Sequence, residues 1–295
     1  MPYRVAQKCA REAQYRAIYH FREKHQVKAM CAFLGISRAS YYAWLKRIEQ
    51  PDPDLARMKM IEEAYLSSRR SYGYRRIQIW IEKKYGLRIN HKAVLRLMNK
   101  MGIQSVARKR KPYPKWYEIK TQHRYSNHLN RDFIATKPNQ KWVTDITYIH
   151  TNQGWAYLST IKDLFDGFIV AHQLGKHNSV ALVTQTLKKA LKNEKVSDGA
   201  ILHSDQGHQY CSHVYYSLTK EFKIRPSMSR RGNCWDNAPM ENFFGHLKEE
   251  CLKQYQGLSY PEAKVIIDEY IYFYNYERIQ LKTKQAPYQL RCLQI

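Results

Sequence analysis

No CxxC pair and no dense cysteine framework occur in this 295-residue sequence; its six cysteines lie at 9, 31, 211, 234, 251 and 292. That spacing excludes a disulfide-stapled secreted scaffold and fits free thiols in a reducing compartment. No run approaches the roughly 18 unbroken apolar residues that a membrane span needs, and Met1-Pro2-Tyr3-Arg4 is unlike a signal peptide. There is no solenoid repeat, no lipidation motif and no basic amphipathic helix suited to a membrane surface. These absences leave a soluble, intracellular globular protein without a membrane partner, and 44% hydrophobic residues supply at least one sizeable core.

Acidic charge is also scarce, with 25 Asp and Glu against 50 Lys and Arg, a formal net charge of +25. The imbalance is regional. Residues 1–131 hold 30 basic and 9 acidic side chains (+21), and residues 132–295 hold 20 and 16 (+4). The first part therefore reads as a polyanion binder, whose affinity for nucleic acid comes from released counterions.

The chain order suggests five segments. Residues 1–50 contain a helix-turn-helix pattern at about 25–47. Val27, Met30, Cys31 and Leu34 recur at helical spacing, Leu34-Gly35-Ile36 turns, and Ser37 can cap a second helix that buries Tyr41, Trp44 and Leu45. Arg38 and Ser40 at its start would face DNA. Pro51-Asp52-Pro53-Asp54 breaks the chain before a second helical DNA-binding region at 51–103. Its helices are expected at about 54–67, 73–84 and 91–101, the last capped by Asn90, burying Val94, Leu95, Leu97 and Met98, and ending at Gly102. Arg75, Arg76, Lys92 and Arg96 fall on polar faces. Residues 104–131 read as a basic linker, with Arg108, Lys109, Arg110 and Lys111 able to follow a phosphate backbone.

Residues 132–252 change character to a mixed α/β sheet covered on both faces. Strands are expected at 141–150, 155–161 and 167–173 around an Asn152-Gln153-Gly154 turn, then at 200–203 and 224–228, with helices between them. Residues 253–295 form a helical extension whose helix, at about 259–279, reads as packing surface or subunit interface. The cluster His208-x-x-Cys211-x-His213 lacks a fourth ligand for zinc.

Three acids stand out. Asp145 lies mid-strand, where an unpaired charge is costly. Asp205 follows the end of a strand in a Gly-containing loop, a usual place for ligands in α/β sheets. Glu241 comes just after Asn237 and Pro239, which suit a helix cap and first turn, so the helix dipole favours its ionised form. Asp236 and Asn237 suit the turn and the cap better than a metal. Lys248, seven residues beyond Glu241, returns to nearly the same helix face and could hold a DNA phosphate.

Asp205 and Glu241 are separated by 35 residues. With Asp145, this arrangement resembles the integrase core of retroviral integrases and bacterial insertion-sequence transposases, which has the ribonuclease-H fold. The likeness is nearest to the second-reading-frame transposases of the IS-three family. It rests on Trp142-Val-Thr-Asp145-Ile-Thr-Tyr148, His203-Ser-Asp205-Gln-Gly207, Ser229-x-x-Gly232-Asn-x-x-Asp236-Asn-Ala238 with Glu241-Asn242-Phe243-Phe244, and Tyr274-Asn275-x-x-Arg278, and covers nearly the whole chain. Gln280 departs from it, where the family often has His.

The resemblance implies a DDE transposase in which Asp145, Asp205 and Glu241 hold two Mg²⁺ or Mn²⁺ ions. Such hard ions suit oxygen ligands and can promote cleavage and then strand transfer at an element's ends. It further implies double-stranded DNA partners (terminal repeats and target), a homo-oligomer on DNA in the bacterial cytoplasm at the nucleoid, and a frameshift fusion with an upstream-frame product. A ribonuclease-H-type nuclease without strand transfer, or a non-catalytic DNA-binding regulator, are the alternatives.

Overall fold

The computed structural model describes residues 2–48, 50, 52–106 and 125–293. Met1–Lys59 and Met60–Ile295 are separate units.

In the first unit, the side chain of Ser37 accepts a hydrogen bond from the Ser40 N–H at 3.1 Å, which starts helix α3 (Arg38–Ile48) as the cap pattern predicts. Gly35, at φ +65°, supplies the left-handed residue that ends α2 (Val27–Phe33) and turns the chain into α3. Tyr41 and Trp44 are buried with Cys31, but Leu45 only partly. The third member of this core was not expected. Helix α1 (Pro2–Phe21) contributes the fully buried Ile18, and Tyr15 stacks on Trp44 with centroids 5.5 Å apart. Removing the cap hydroxyl with Ser37→Ala should cost this unit about 1 kcal/mol, read as faster hydrogen exchange at the Tyr41–Leu45 amides.

Helices α4 (Leu55–Ser67), α5 (Tyr74–Tyr85) and α6 (His91–Lys100) occupy the three expected spans. Asn90 caps α6 by accepting from the Lys92 N–H at 2.8 Å, and Gly102 takes φ +68° beyond its end. Val94, Leu97 and Met98 are buried with Ile77 and Ile81, whereas Leu95 is 40% exposed. The expectation that Leu95 points inward is corrected by the period of the helix. Positions 94, 97 and 98 define one face, and 95 is rotated about 100° from 94.

The sheet has the order β3-β2-β1-β4-β5, from β1 (Lys141–Thr151), β2 (Gly154–Asp163), β3 (Ile169–Gly175), β4 (Ile201–Ser204) and β5 (Arg225–Met228). The first three strands form an antiparallel meander, and β4 and β5 add in parallel after the crossover helices α7 (Val180–Asn193) and α8 (His213–Glu221). Register decides which residues meet each layer. Trp142 and Ile161 face a core built with Val183 and Leu187 of α7 and Tyr215 and Leu218 of α8. The alternate residues, with Val143 opposite Lys162 and Asp145 opposite Thr160, face the other side, where Lys162 reaches Pro239 at the start of α9 (Ala238–Glu250).

Helix α10 (Tyr260–Tyr276) is fixed to the sheet by Asn275, whose Oδ1 accepts from the Ile169 N–H at 2.8 Å while its amide donates to the Ile169 carbonyl at 3.0 Å. Arg278, fully buried, bonds Glu250 at the end of α9 through Nε (2.7 Å) and Nη2 (2.5 Å), and Tyr270 adds its hydroxyl to the same carboxylate at 2.9 Å. Helix α11 (Pro287–Cys292), not anticipated from sequence, places Arg291 between Asp163 (2.6 Å), Asp166 (2.7 Å) and Glu194 (2.6 Å). Among the described residues no helix is long and apolar enough to cross a membrane.

Candidate active site

Strands β1 and β4 pair in parallel with Val143 beside His203, so two residues further on Asp145, within β1, and Asp205, just past the end of β4, stand at the same level. Both are half-buried. Glu241, also half-buried, sits in the first turn of α9 on the side of the sheet that Asp145 faces.

Asp145 feels the charges of both other acids. Burial pushes the Asp145 carboxyl well above the usual carboxylate range, and the negative charges of Asp205 and Glu241 push it further. The Ile146 N–H, 2.7 Å from its Oδ1, and the Lys248 ammonium oppose that rise. Burial likewise raises Asp205, against the Gly207 N–H at 3.0 Å and His208. The protein's own groups therefore do not favour two ionised carboxylates here, and a cation would. Oxygen-only donors suit a hard divalent ion. Among the described residues, however, no three acidic, histidine or cysteine groups stand as a ready-formed metal centre.

A rigid frame surrounds the acids. His203 is fully buried, and burial holds its imidazole down to about 4, so it is neutral near pH 7. Ser227 Oγ accepts the His128 and Leu129 N–H groups at 2.9 and 3.1 Å, leaving its own proton for His203 Nδ1 at 2.9 Å. The Nε2–H tautomer that follows donates to Ser229 Oγ at 3.1 Å, and the Ser229 hydroxyl passes its proton to the Ser204 carbonyl at 3.3 Å. This chain fixes the strand end from which Asp205 emerges.

Asp236, fully buried, accepts from the Arg230 N–H and guanidinium, from Arg131 Nε at 2.8 Å and from the Asn127 amide at 3.0 Å. The Arg230 bonds hold its carboxyl well below the ordinary range. It shapes the turn before α9, as expected. Asn237 does not cap α9, contrary to the sequence reading. Its amide donates to the Thr144 carbonyl at 3.1 Å, because the chain reaches the helix through a tight turn at Cys234–Asn237 that aims the side chain at β1.

The proposed DNA-contacting residues separate into four groups. Arg38, Ser40, Arg75, Lys92 and Arg96 are exposed, although the Ser40 hydroxyl is engaged by Ser37 Oγ at 2.8 Å and Arg75 lies 5.6 Å from the Tyr74 ring centre. Arg76 is instead turned into the fold, where its Nε donates to the Ile279 carbonyl at 3.0 Å and burial, then the charge of Arg278, lower its pKa. Lys248 is half-buried, with its charge reaching Asp145. Arg108, Lys109, Arg110 and Lys111 lie outside the described residues. Among the described residues, Cys31, Cys211, Cys234, Cys251 and Cys292 form no disulfide. Sequence reasoning gave no separate role to His203 and none to Lys162; for Lys162 the signal available was a lysine near the end of a mostly apolar strand.

A helical segment followed by a mixed five-stranded sheet, with acids on adjacent parallel strands and a third on a helix beside them, is the framework of an integrase core. Integrase core domain models match residues 135–234 and 241–293, and an HTH-like domain model matches 52–111. The helix-turn-helix match thus falls on α4–α6 and leaves α2–α3, where the sequence pattern suggested one, outside it.

The putative transposase InsK for insertion sequence element IS150 of Escherichia coli (strain K12) is 41% identical over 249 residues, covering 84% of this chain and 87% of the relative. A 31 kDa protein of insertion element IS600 from Shigella sonnei is 37% identical over 84% of this chain and 92% of its own length. The transposase InsF for IS3A of Escherichia coli (strain K12) is 33% identical over 86% and 90%. Among solved structures, the HTLV-2 integrase catalytic core domain in complex with magnesium is similar with a TM-score of 0.45 and 16% identity, over 53% of this chain and 98% of that one. The chain belongs to the insertion-sequence transposases that carry an integrase core.

Proposed function

We propose that this transposase cuts and rejoins DNA at the ends of its insertion sequence with two divalent ions, Mg²⁺ or Mn²⁺, held by Asp145, Asp205 and Glu241. The observation that carries this reading is the parallel pairing of β1 and β4 that sets Asp145 and Asp205 level, with the Asp145 carboxyl driven up by burial and then by the charges of Asp205 and Glu241. When bound, the ions supply activation of the attacking oxygen and stabilisation of the leaving oxygen.

The chain's own residues do the rest. Asp145 and Asp205 are held level by the parallel pairing of β1 and β4, and the first turn of α9 favours the ionised form of Glu241. Lys248, two helical turns further along α9, holds a DNA phosphate beside the acids. Arg38, Arg75, Lys92, Arg96 and the basic linker carry the flanking duplex, and the protein works as a homo-oligomer on the two ends.

Purified protein incubated with labelled duplexes bearing the element's ends should give nicked and then joined products with Mg²⁺ or Mn²⁺, and neither with EDTA. Cleavage without joining would instead identify a nuclease. Binding without chemistry, in this chain and in a fusion to its upstream-frame product, would identify a regulator.

A further inference from the structure

Lys162 is buried to 8% exposure, yet among the described residues no carboxylate stands within ion-pair distance of it. Its ammonium donates to the Pro239 carbonyl at 3.3 Å and lies 5.9 Å from the Tyr274 ring centre. A buried, unpaired ammonium is costly, and apolar side chains of similar length would fill the same space without that cost. Its position gives the cost a purpose. The strand register puts Lys162 opposite Val143 and Thr160 opposite Asp145, so Lys162 lies on the Asp145 face, one strand across and two residues along. Pro239 is two residues before Glu241.

Asn237 makes a second tie at the same helix end. It is 4% exposed and donates to the Thr144 carbonyl at 3.1 Å, the residue before Asp145, while its own Oδ1 has no hydrogen-bond partner among the described residues. An asparagine at a helix start ordinarily spends its oxygen on the helix N–H groups. Here the cap is given up and the amide is turned onto the strand that carries the first acid.

We infer that Lys162 and Asn237 are positioning residues that fasten the first turn of α9 to β2 and β1 and so fix Glu241 against Asp145 for the ions. The inference rests on the proposed three-carboxylate site. Neither residue touches DNA or an ion; each acts through the backbone that presents Glu241. Outer-shell partners of this kind change metal affinity by about 10- to 100-fold when removed.

The test is Mn²⁺ titration of the full chain followed by the electron paramagnetic resonance of free Mn²⁺, for wild type, Lys162→Met, Asn237→Asp and Glu241→Gln, with melting temperatures measured in EDTA. The expected result is an apparent Mn²⁺ dissociation constant raised about tenfold in Lys162→Met while its metal-free melting temperature stays near or above that of wild type. DNA cleavage by that variant should recover at high Mn²⁺. Should Lys162→Met fail to fold, Asn237→Asp, which keeps side-chain size, reports on the same helix end. Wild-type Mn²⁺ affinity in both variants, with Glu241→Gln impaired, would overturn the positioning role alone. Wild-type affinity in Glu241→Gln would overturn the underlying site.

Discussion

Glu241→Gln is expected to lower DNA cleavage and joining at least about a hundredfold while leaving DNA binding unchanged. The substitution keeps the size of the side chain and its place in the first turn of α9, so the helix and its contacts with β1 persist. What it removes is one of the negative charges that raise the Asp145 carboxyl and one ligand of the proposed ion pair. Metal stabilisation of a phosphoryl-transfer transition state is worth several kcal/mol, and each 1.36 kcal/mol is a factor of ten, which sets the scale of the loss. Product gels and mobility shifts on the same labelled end duplexes separate the two readouts. Cleavage at the wild-type rate would remove Glu241 from the site. Lys248→Ala should have a smaller effect, weakening the hold on DNA more than the chemistry.

The second large effect lies away from the acids. Arg278→Met should destabilise Met60–Ile295 by about 3–5 kcal/mol, because it leaves Glu250 buried without its two-pronged partner. Burial alone would raise the Glu250 carboxyl, but Arg278 and His246 hold it well below the ordinary range. The sign of the pH dependence follows. Stabilisation from a depressed carboxyl is present above its unfolded value, about 4, and is lost as the pH falls below it. The gap between wild type and Arg278→Met, measured by urea denaturation, should therefore narrow in acid. The double variant Glu250→Gln with Arg278→Met should recover part of the loss, since no charge is then stranded. A single variant as stable as wild type would show that the pair contributes little.

Much of this architecture was legible because local pattern and tertiary role coincide. The β-branched run around Asp145 is a strand, Asn90 and Ser37 are caps, and Gly35 and Gly102 take the left-handed conformation that their positions require. Helix α1 escaped because its apolar positions, Tyr15 and Ile18, are too sparse to mark a face until Trp44 is there to meet them. Arg76 and Lys92 look alike in sequence, and only the Ile279 carbonyl, 203 residues away, separates an anchored arginine from an exposed lysine. Asn237 was read as a cap by the residues beside it, whereas its partner is the Thr144 carbonyl, 93 residues back. The three acids could be named from spacing and resemblance; the register that brings two of them level is a property of the sheet.

The order in which a ribosome delivers these parts has its own consequence. Glu250 waits for Arg278, and Asp163, Asp166 and Glu194 wait for Arg291, so these acids acquire their counter-charges only after all five strands have been made. Until then the nascent core carries stranded negative charge and is expected to stay loose. A transposase arranged this way is expected to complete its core late in its own synthesis: chains released early would lack both arginine clamps.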